Sequence, residues 1–550
     1  MRVLSAAEMQ ACDRLTTERF GVPSLDLMRA ASAAVAAFAR HEFPRARRVT
    51  VLCGRGNNGG DGMMAARLLA SAGLEVTTLL LGSPNGLTGD AAAAWRELSS
   101  LEGGPAHGLI HIIETAEDLA RHKAALDADL ILDAVVGTGF KPPLKGLAAA
   151  ALKWLEGSTA PVLAVDLPSG WPADETAATV ATPVFPADAV ITFTAPKPAH
   201  LFGQLTRHWS QPIVVAPIGS PEEAIVSGLN LTWAGSALSL AQEPRPAAAN
   251  KGNFGHVLVV GGSVGKSGAP AMTALAALRA GAGLVTAAVP APVLPLVAAI
   301  APELMTCPLA ATPSGCISAE NLAPETLALL TAGKTVLAIG PGLGQSPETI
   351  KFTTGLLSAT KIPAVIDADA LNILAAKPVL LAKLAKGRQL VLTPHPGEMA
   401  RLAGITVTEV QANRLEVARS FAQRTGVSLV LKGARTLIAH PDGCVAVNTT
   451  GNPGMAKGGS GDLLTGLIAG LLAQHPSESA RAVEAAVYLH GLAADMAVRR
   501  DDEHTLLATD SLAQLAQAFR FHSRGPSGYL WLQGLPAELL QATAFHEESQ

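Results

Sequence analysis

The sequence predicts an α/β protein built as two three-layer domains, each a mostly parallel sheet with helices on both faces. Three observations carry that expectation. The chain has 550 residues, too many for one compact core. Short β-branched runs alternate with alanine- and leucine-rich segments long enough for crossover helices. Polar, glycine-rich motifs follow directly on several of those runs, where open α/β sheets bind ligands.

In the N-terminal half the strands expected are Val49–Cys53, Glu75–Leu81, Asp129–Asp133, Pro161–Asp166 and Asp188–Phe193. In the C-terminal half they are His256–Gly262, Gly283–Val289, Lys334–Gly340, Pro363–Asp369, Gln389–His395, Ser428–Gly433 and Thr436–His440. The pattern weakens after Pro221 and reaches a proline-broken stretch at Ala241–Ala249. The expected division is a first domain over 1–225, a linker over 226–244, a second domain over 245–522 and a tail over 523–550 with no assigned role.

A net charge of −4 gives no basic footprint for nucleic acid or an anionic membrane. Five scattered cysteines without a CxxC pair argue against a disulfide framework or a zinc site. Glu8 and Asp13 interrupt the N-terminus where a signal peptide needs an apolar run, and prolines break the apolar stretch Ala287–Ala301. A cytoplasmic protein is expected.

The first chemical motif is CGRGNNGGDG, Cys53–Gly62, between a strand and a helix expected to start near Met63. Its glycines let backbone amides close on a ligand, and the helix N-terminus favours negative charge. A ligand-free turn would not need Asn57, Asn58 and Asp61. DAVVGTGFKPPLKG (Asp133–Gly146) and AVDLPSGW (Ala164–Trp171) add Asp133, Asp166 and Ser169 at further strand ends. Each carboxylate alone could be a helix cap or turn former. Together they are oxygen ligands suited to a hard cation of unspecified identity.

GRGNNGGDGMMAAR, DAVVGTGFKPPLKG and VDLPSGW, in this order, resemble the NAD(P)H-hydrate epimerase family over roughly residues 1–220. The resemblance implies a Rossmann-like parallel sheet. It implies that Asn57, Asn58, Gly59, Gly60 and Asp61 hold the hydrated dinucleotide, with Gly137, Thr138, Gly139, Phe140, Lys141, Pro142, Pro143 and Asp166. It also implies potassium at Asn58, Asp133 and Ser169, and interconversion of the R and S hydrates at C6 of the nicotinamide ring. Asp166 would stabilise cationic charge or move a proton there. One departure is LMRAAS, Leu27–Ser32, where the family often has Asn-Ala-Gly after Leu-Met.

In the second half, KGNFGHVLVVGGSVGKSGAP (Lys251–Pro270) and GPGLGQ (Gly340–Gln345) place small residues at strand ends, without P-loop spacing. TPHPGEMARL (Thr393–Leu402) fixes His395 between prolines. In NTTGNPGMAKGGSGDLL (Asn448–Leu464), Gly458, Gly459 and Gly461 run straight into an apolar helix. Their amides and the helix dipole suit a transferring phosphoryl group, and Asp462 can take a hydroxyl proton. Capping the helix, worth about 1 kcal/mol, is the structural alternative for Asp462.

These motifs, with VIDADALN and LKGARTLI, resemble the ADP/ATP-dependent NAD(P)H-hydrate dehydratases of the ribokinase-like superfamily over roughly residues 245–520. The resemblance implies a ribokinase-like sheet and adenine-nucleotide contacts at Lys432, Gly433, Ala434, Arg435, Thr436 and Gly461. It implies that Ala269, Gly342, Gly344, Asp367 and His395 face the hydrate, and that Asp462 is the catalytic carboxylate. ADP or ATP with Mg2+ is the expected co-substrate, dehydration of the S hydrate the expected reaction, and a homo-oligomer the expected state. Two readings stay open beside a bifunctional repair enzyme. One is a small-alcohol kinase fused to a non-catalytic nucleotide-binding module; the other is a nucleotide-sensing or scaffold protein whose N-terminal half only binds.

Overall fold

The computed structural model describes residues 1–100, 109–525 and 528–536. It divides into two compact units, residues 1–229 together with the segment from 522 onward, and residues 230–521. Among the described residues no helix is long and apolar enough to cross a membrane.

The first unit contains β1 (Arg48–Cys53), β2 (Glu75–Leu81), β3 (Leu109–Ile113), β4 (Leu130–Ala134), β5 (Val162–Val165), β6 (Ala189–Phe193) and β7 (Ile213–Ala216). They are parallel throughout, in the order 7-6-5-4-1-2-3. Helices cover both faces, so β4 through β7 are buried from end to end and read as unbroken apolar runs. The strand order reverses between β1 and β4. That is where a parallel sheet opens a crevice at its carboxyl edge.

The second unit holds β8 (Leu231–Trp233), β9 (His256–Val260), β10 (Leu284–Pro290), β11 (Met305–Leu309), β12 (Val336–Ile339), β13 (Ala364–Ile366), β14 (Leu390–Leu392), β15 (Ser428–Leu431), β16 (Leu437–Ala439) and β17 (Val445–Val447). Their order is 11-10-9-12-13-14-15-16-17-8, with β16 antiparallel to both neighbours. Here the order reverses between β9 and β12. The helices Gly268–Arg279 and Ser460–Gln474 pack together without bulk between them: a Cβ on Gly466 would lie 2.1 Å from the Thr273 carbonyl oxygen.

Both expected α/β sheets are present, and two boundaries need correction. Residues 226–244 are not a linker. Leu231–Trp233 is β8, which pairs in parallel with β17, and Trp233 is fully buried with its Nε1 donating to Thr449 Oγ1 at 2.8 Å. The tail over 523–550 is not without a place either. Leu530–Gln533 forms β18, antiparallel on β7, and returns the chain to the first sheet. Tyr529 and Trp531 meet Phe38 edge-on, and Tyr529 donates to the Ala34 carbonyl. Residues 537–550 lie outside the described residues.

Trp531 is 3 % exposed. Trp531→Ala is expected to cost the first unit about 3–5 kcal/mol, as large-to-small core changes of an aromatic do. Differential scanning calorimetry should show one transition lowered and the other in place.

Candidate active sites

In the first unit the β1 end and the β4 end touch. A Cβ on Gly54 would lie 1.9 Å from the Val135 carbonyl oxygen, so only glycine fits. The helix begins at Asn57, capped by extended Gly56, and not near Met63. Asn57–Asp61 is therefore the first turn and a half of a helix, because Gly59 folds back on Gly54 and Gly60 admits Met28.

A cavity of about 1110 Å³ opens at this crevice. Asn57, Asn58, Asp61, Gly137, Thr138, Gly139, Phe140 and Asp166 line it. Gly59 and Gly60 lie behind its wall as close-packed backbone, and Lys141, Pro142 and Pro143 lie outside it. Asp133 and Ser169 do not line it and are fully buried. Ser169 donates to Asp133 through its backbone NH (2.7 Å) and its hydroxyl (2.6 Å), and burial pushes the Asp133 carboxyl up to about 6. Both polar atoms of the Asn58 amide are buried without a hydrogen-bond partner among the described residues. The altered helix segment contributes Leu27, Met28 and Ala31 to the wall, while Arg29 turns away to Asp26 and Glu97.

Asp166 occupies the left-handed region (φ 68°) at the β5 end. Its Oδ1 accepts from Lys197 Nζ and Thr192 Oγ1, both at 2.8 Å, and its Oδ2 accepts from the Thr138 NH (2.9 Å) and hydroxyl. Burial opposes ionisation, but the Lys197 ammonium, His200 and these donors outweigh it and hold the carboxyl below the usual carboxylate range. Lys197, Thr192 and His200 escaped the sequence reading. The signal was APK immediately after a predicted strand, with a lysine that ends 2 % exposed.

In the second unit the helix starts at Ser460 behind left-handed Gly459 (φ 96°), and Gly458 opens on empty space. Gly461 lies under Lys432: a Cβ there would be 3.4 Å from its Nζ and 3.8 Å from Asp367 Oδ2. Lys432 Nζ donates to Asp367 Oδ1 at 2.9 Å, and Thr465 of the same helix donates to Asp367 Oδ2 at 2.8 Å. Asp462 does not cap the helix, and its carboxylate has no partner among the described residues. Burial and the charge of Asp367, opposed by Lys432, push it up to about 6.

His395 is itself a cap. Its Nδ1 accepts from the Gly397 NH at 3.0 Å, which leaves Nε2 to carry the proton, 3.6 Å from Glu398 Oε1. Glu398, buried beside it, accepts from the His395 NH and lies 4.0 Å from Lys432. Burial raises its pKa. Ala269 and Gly342 adjoin, since a Cβ on Gly342 would lie 3.3 Å from that of Ala269. Gly344 is tethered by its NH to Asp369 Oδ2 at 2.8 Å. In the Lys432–Thr436 turn, Gly433 and Ala434 are exposed, Arg435 donates to the Thr449 carbonyl, and Thr436 closes on that of Gly433. A separate cavity of about 1080 Å³, lined by Arg245, Phe254, Arg279, His475 and Phe519, sits at the opposite ends of both helices and holds none of the expected site residues.

Residues 24–199 match the family described as YjeF-related protein N-terminus, and residues 257–517 that described as NAD(P)H-hydrate dehydratase. The bifunctional NAD(P)H-hydrate repair enzyme Nnr of Moorella thermoacetica is 42% identical over 94% of this chain and 97% of its own. The chain belongs to the bifunctional NAD(P)H-hydrate repair enzyme family. Other members of that family, from Coxiella burnetii and Escherichia coli, are 38% and 36% identical over 92% and 93% of this chain, and 97% and 92% of theirs. Among solved structures, an ADP/ATP-dependent NAD(P)H-hydrate dehydratase from Bacillus subtilis is 33% identical, covering 52% of this chain and 97% of its own, with a TM-score of 0.45.

Proposed function

We propose that this chain repairs hydrated NADH and NADPH, the first unit interconverting the R and S hydrates and the second dehydrating the S hydrate at the expense of a nucleotide phosphate. The observation that carries the reading is the convergence of Gly459–Gly461 at a helix N-terminus, the Lys432 ammonium and the unpartnered carboxylate of Asp462. Hydroxide leaves poorly from C6, whereas phosphate, with a second pKa of about 6, leaves well. Asp462 takes the C6 hydroxyl proton as the oxygen attacks the terminal phosphoryl of ADP or ATP. The loop amides and Lys432 receive the charge that develops. The ring nitrogen then expels phosphate. Lys432–Thr436 would hold the nucleotide, and Ala269, Gly342, Gly344 and His395 the hydrate. Bound with the nucleotide, Mg2+ would screen the charge of its phosphates.

In the first unit Asn58, Asp133 and Ser169 would hold potassium. The fit rests on an oxygen-only donor set and on the unpartnered Asn58 amide. The ion would supply fixed positive charge at the site. We read the protein as a cytoplasmic homo-oligomer. A small-alcohol kinase would share the phosphoryl site, and family membership along both units supports repair over it.

The test is incubation with mixed R and S hydrates and either nucleotide. Free phosphate with recovery of reduced-nicotinamide absorbance supports repair; a stable phosphorylated alcohol supports the kinase. Because Asp462 acts ionised, kcat/KM for dehydration is expected to be full above neutrality and to fall tenfold per pH unit below about 6. A profile flat to pH 5 would remove Asp462 as the base.

A further inference from the structure

We propose that Asp61 is the proton donor of the epimerase site, delivering a proton to the departing C6 hydroxyl while Asp166 stays ionised and faces the cation left behind. This rests on reading the first unit as the epimerase. The helix Asn57–Ser71 is fixed on two sides of Asp61 by glycines. Gly60 packs on Met28, and Gly62 packs on Ala134, where a Cβ would come within 2.5 Å. Buried Met63 and Met64 follow. The one direction left for the Asp61 side chain is the cavity it lines.

There it is 9 % exposed and has no hydrogen bond or ion pair to any described residue. An acidic group in that setting keeps its proton, because nothing replaces the water its anion would lose. The charges around it point the same way. Asp166, Asp13 and Asp90 disfavour a further negative charge, and burial is the largest effect. Lys197 opposes them, but its ammonium is committed to Asp166 Oδ1 and Thr192. Arg55, Lys145 and Glu114 line the same cavity. Of the carboxyls that line this cavity, Asp166 is held anionic by its donors, whereas Asp61, without a donor, is driven towards its neutral form. Such a split assigns acid and base roles.

The step balances as follows. The Asp61 proton passes to the C6 hydroxyl oxygen, the C6–O bond breaks with its electron pair on oxygen, and water leaves. The N1 lone pair forms N1=C6, and the positive ring lies opposite the Asp166 carboxylate. Water adds to the other face of C6, the N1=C6 pair returns to N1, and the proton shed by that water returns to Asp61 through cavity water. No oxidant or second substrate is required.

Asp61→Asn separates proton transfer from a purely neutral contact, since the amide has the same size and no charge but no transferable proton. The expected result is at least a 100-fold loss of R-to-S interconversion, with the KM of the hydrate within threefold of wild type and dehydration of the S hydrate untouched. Asp61→Glu should recover part of the rate. Wild-type minus Asp61→Asn infrared difference spectra at neutral pH should contain the carbonyl stretch of one protonated carboxylic acid. Full activity of Asp61→Asn, or absence of that band, overturns the proposal. An inactive wild-type first unit would instead overturn the epimerase reading.

Discussion

Asp462→Asn is expected to lower nucleotide-dependent dehydration by about 10²–10⁴-fold, the range for losing a positioned general base, or roughly 3–5 kcal/mol of barrier. The fold should not suffer. Asp462 makes no hydrogen bond through its carboxylate among the described residues, and Lys432 keeps its partner Asp367. The sign of any stability change follows from the raised pKa. A carboxyl that titrates near 6 in the folded state and near its ordinary value in the unfolded chain destabilises the fold increasingly as pH rises from about 4 to 6, and by a constant amount above. Asparagine removes that burden, so the melting temperature at neutral pH should hold or rise slightly. Nucleotide binding should persist, because Gly459–Gly461 and Lys432 are unchanged. The R and S hydrates should still interconvert, since that chemistry lies in a different sheet. Loss of both activities in a folded variant would sink the two-site assignment.

Much of this arrangement was legible in the sequence because strand, turn and motif are adjacent in the chain. Asn57–Asp61 and Gly458–Asp462 announce themselves by composition within ten residues of a strand or helix. The residues that escaped are those whose role comes from distant partners. Lys197 is one charged residue in an apolar stretch until β5 and β6 become neighbours and bring its ammonium to Asp166. β18 is four residues that pair with β7 across more than three hundred positions, a register no local periodicity encodes. β11 carries Pro308 and Cys307 at a sheet edge, where neither is penalised, and so reads as loop. The linker failed for a related reason. Only three residues of it are strand, and their burial depends on β17, far along the chain. The helix start at Asn57 was misplaced because glycine is a poor helix former on its own. Here Gly59 and Gly60 are selected by contacts with Gly54 and Met28 that outweigh propensity.

Asp166→Asn is expected to have the second large effect, on two quantities at once. Asparagine tolerates the left-handed backbone at φ 68° and keeps the side-chain volume, so the turn after β5 should form. What is lost is the charge opposite Lys197, whose side chain is 2 % exposed. A buried ammonium without its anion costs about 3–5 kcal/mol, and calorimetry should show it in the first-unit transition. In wild type the Asp166 contribution is present above the usual carboxylate pKa and is lost only in strong acid, because its folded pKa is depressed. The double variant Asp166→Asn with Lys197→Met removes both charges and should recover most of the stability. It should not recover epimerisation, since the anion facing the C6 cation is still missing. In a mixed-hydrate assay with nucleotide in excess, both variants should consume the S hydrate and stop, leaving the R hydrate stranded. Wild-type consumption of the R hydrate by the stable double variant would show that Asp166 holds Lys197 in place and does nothing to the substrate.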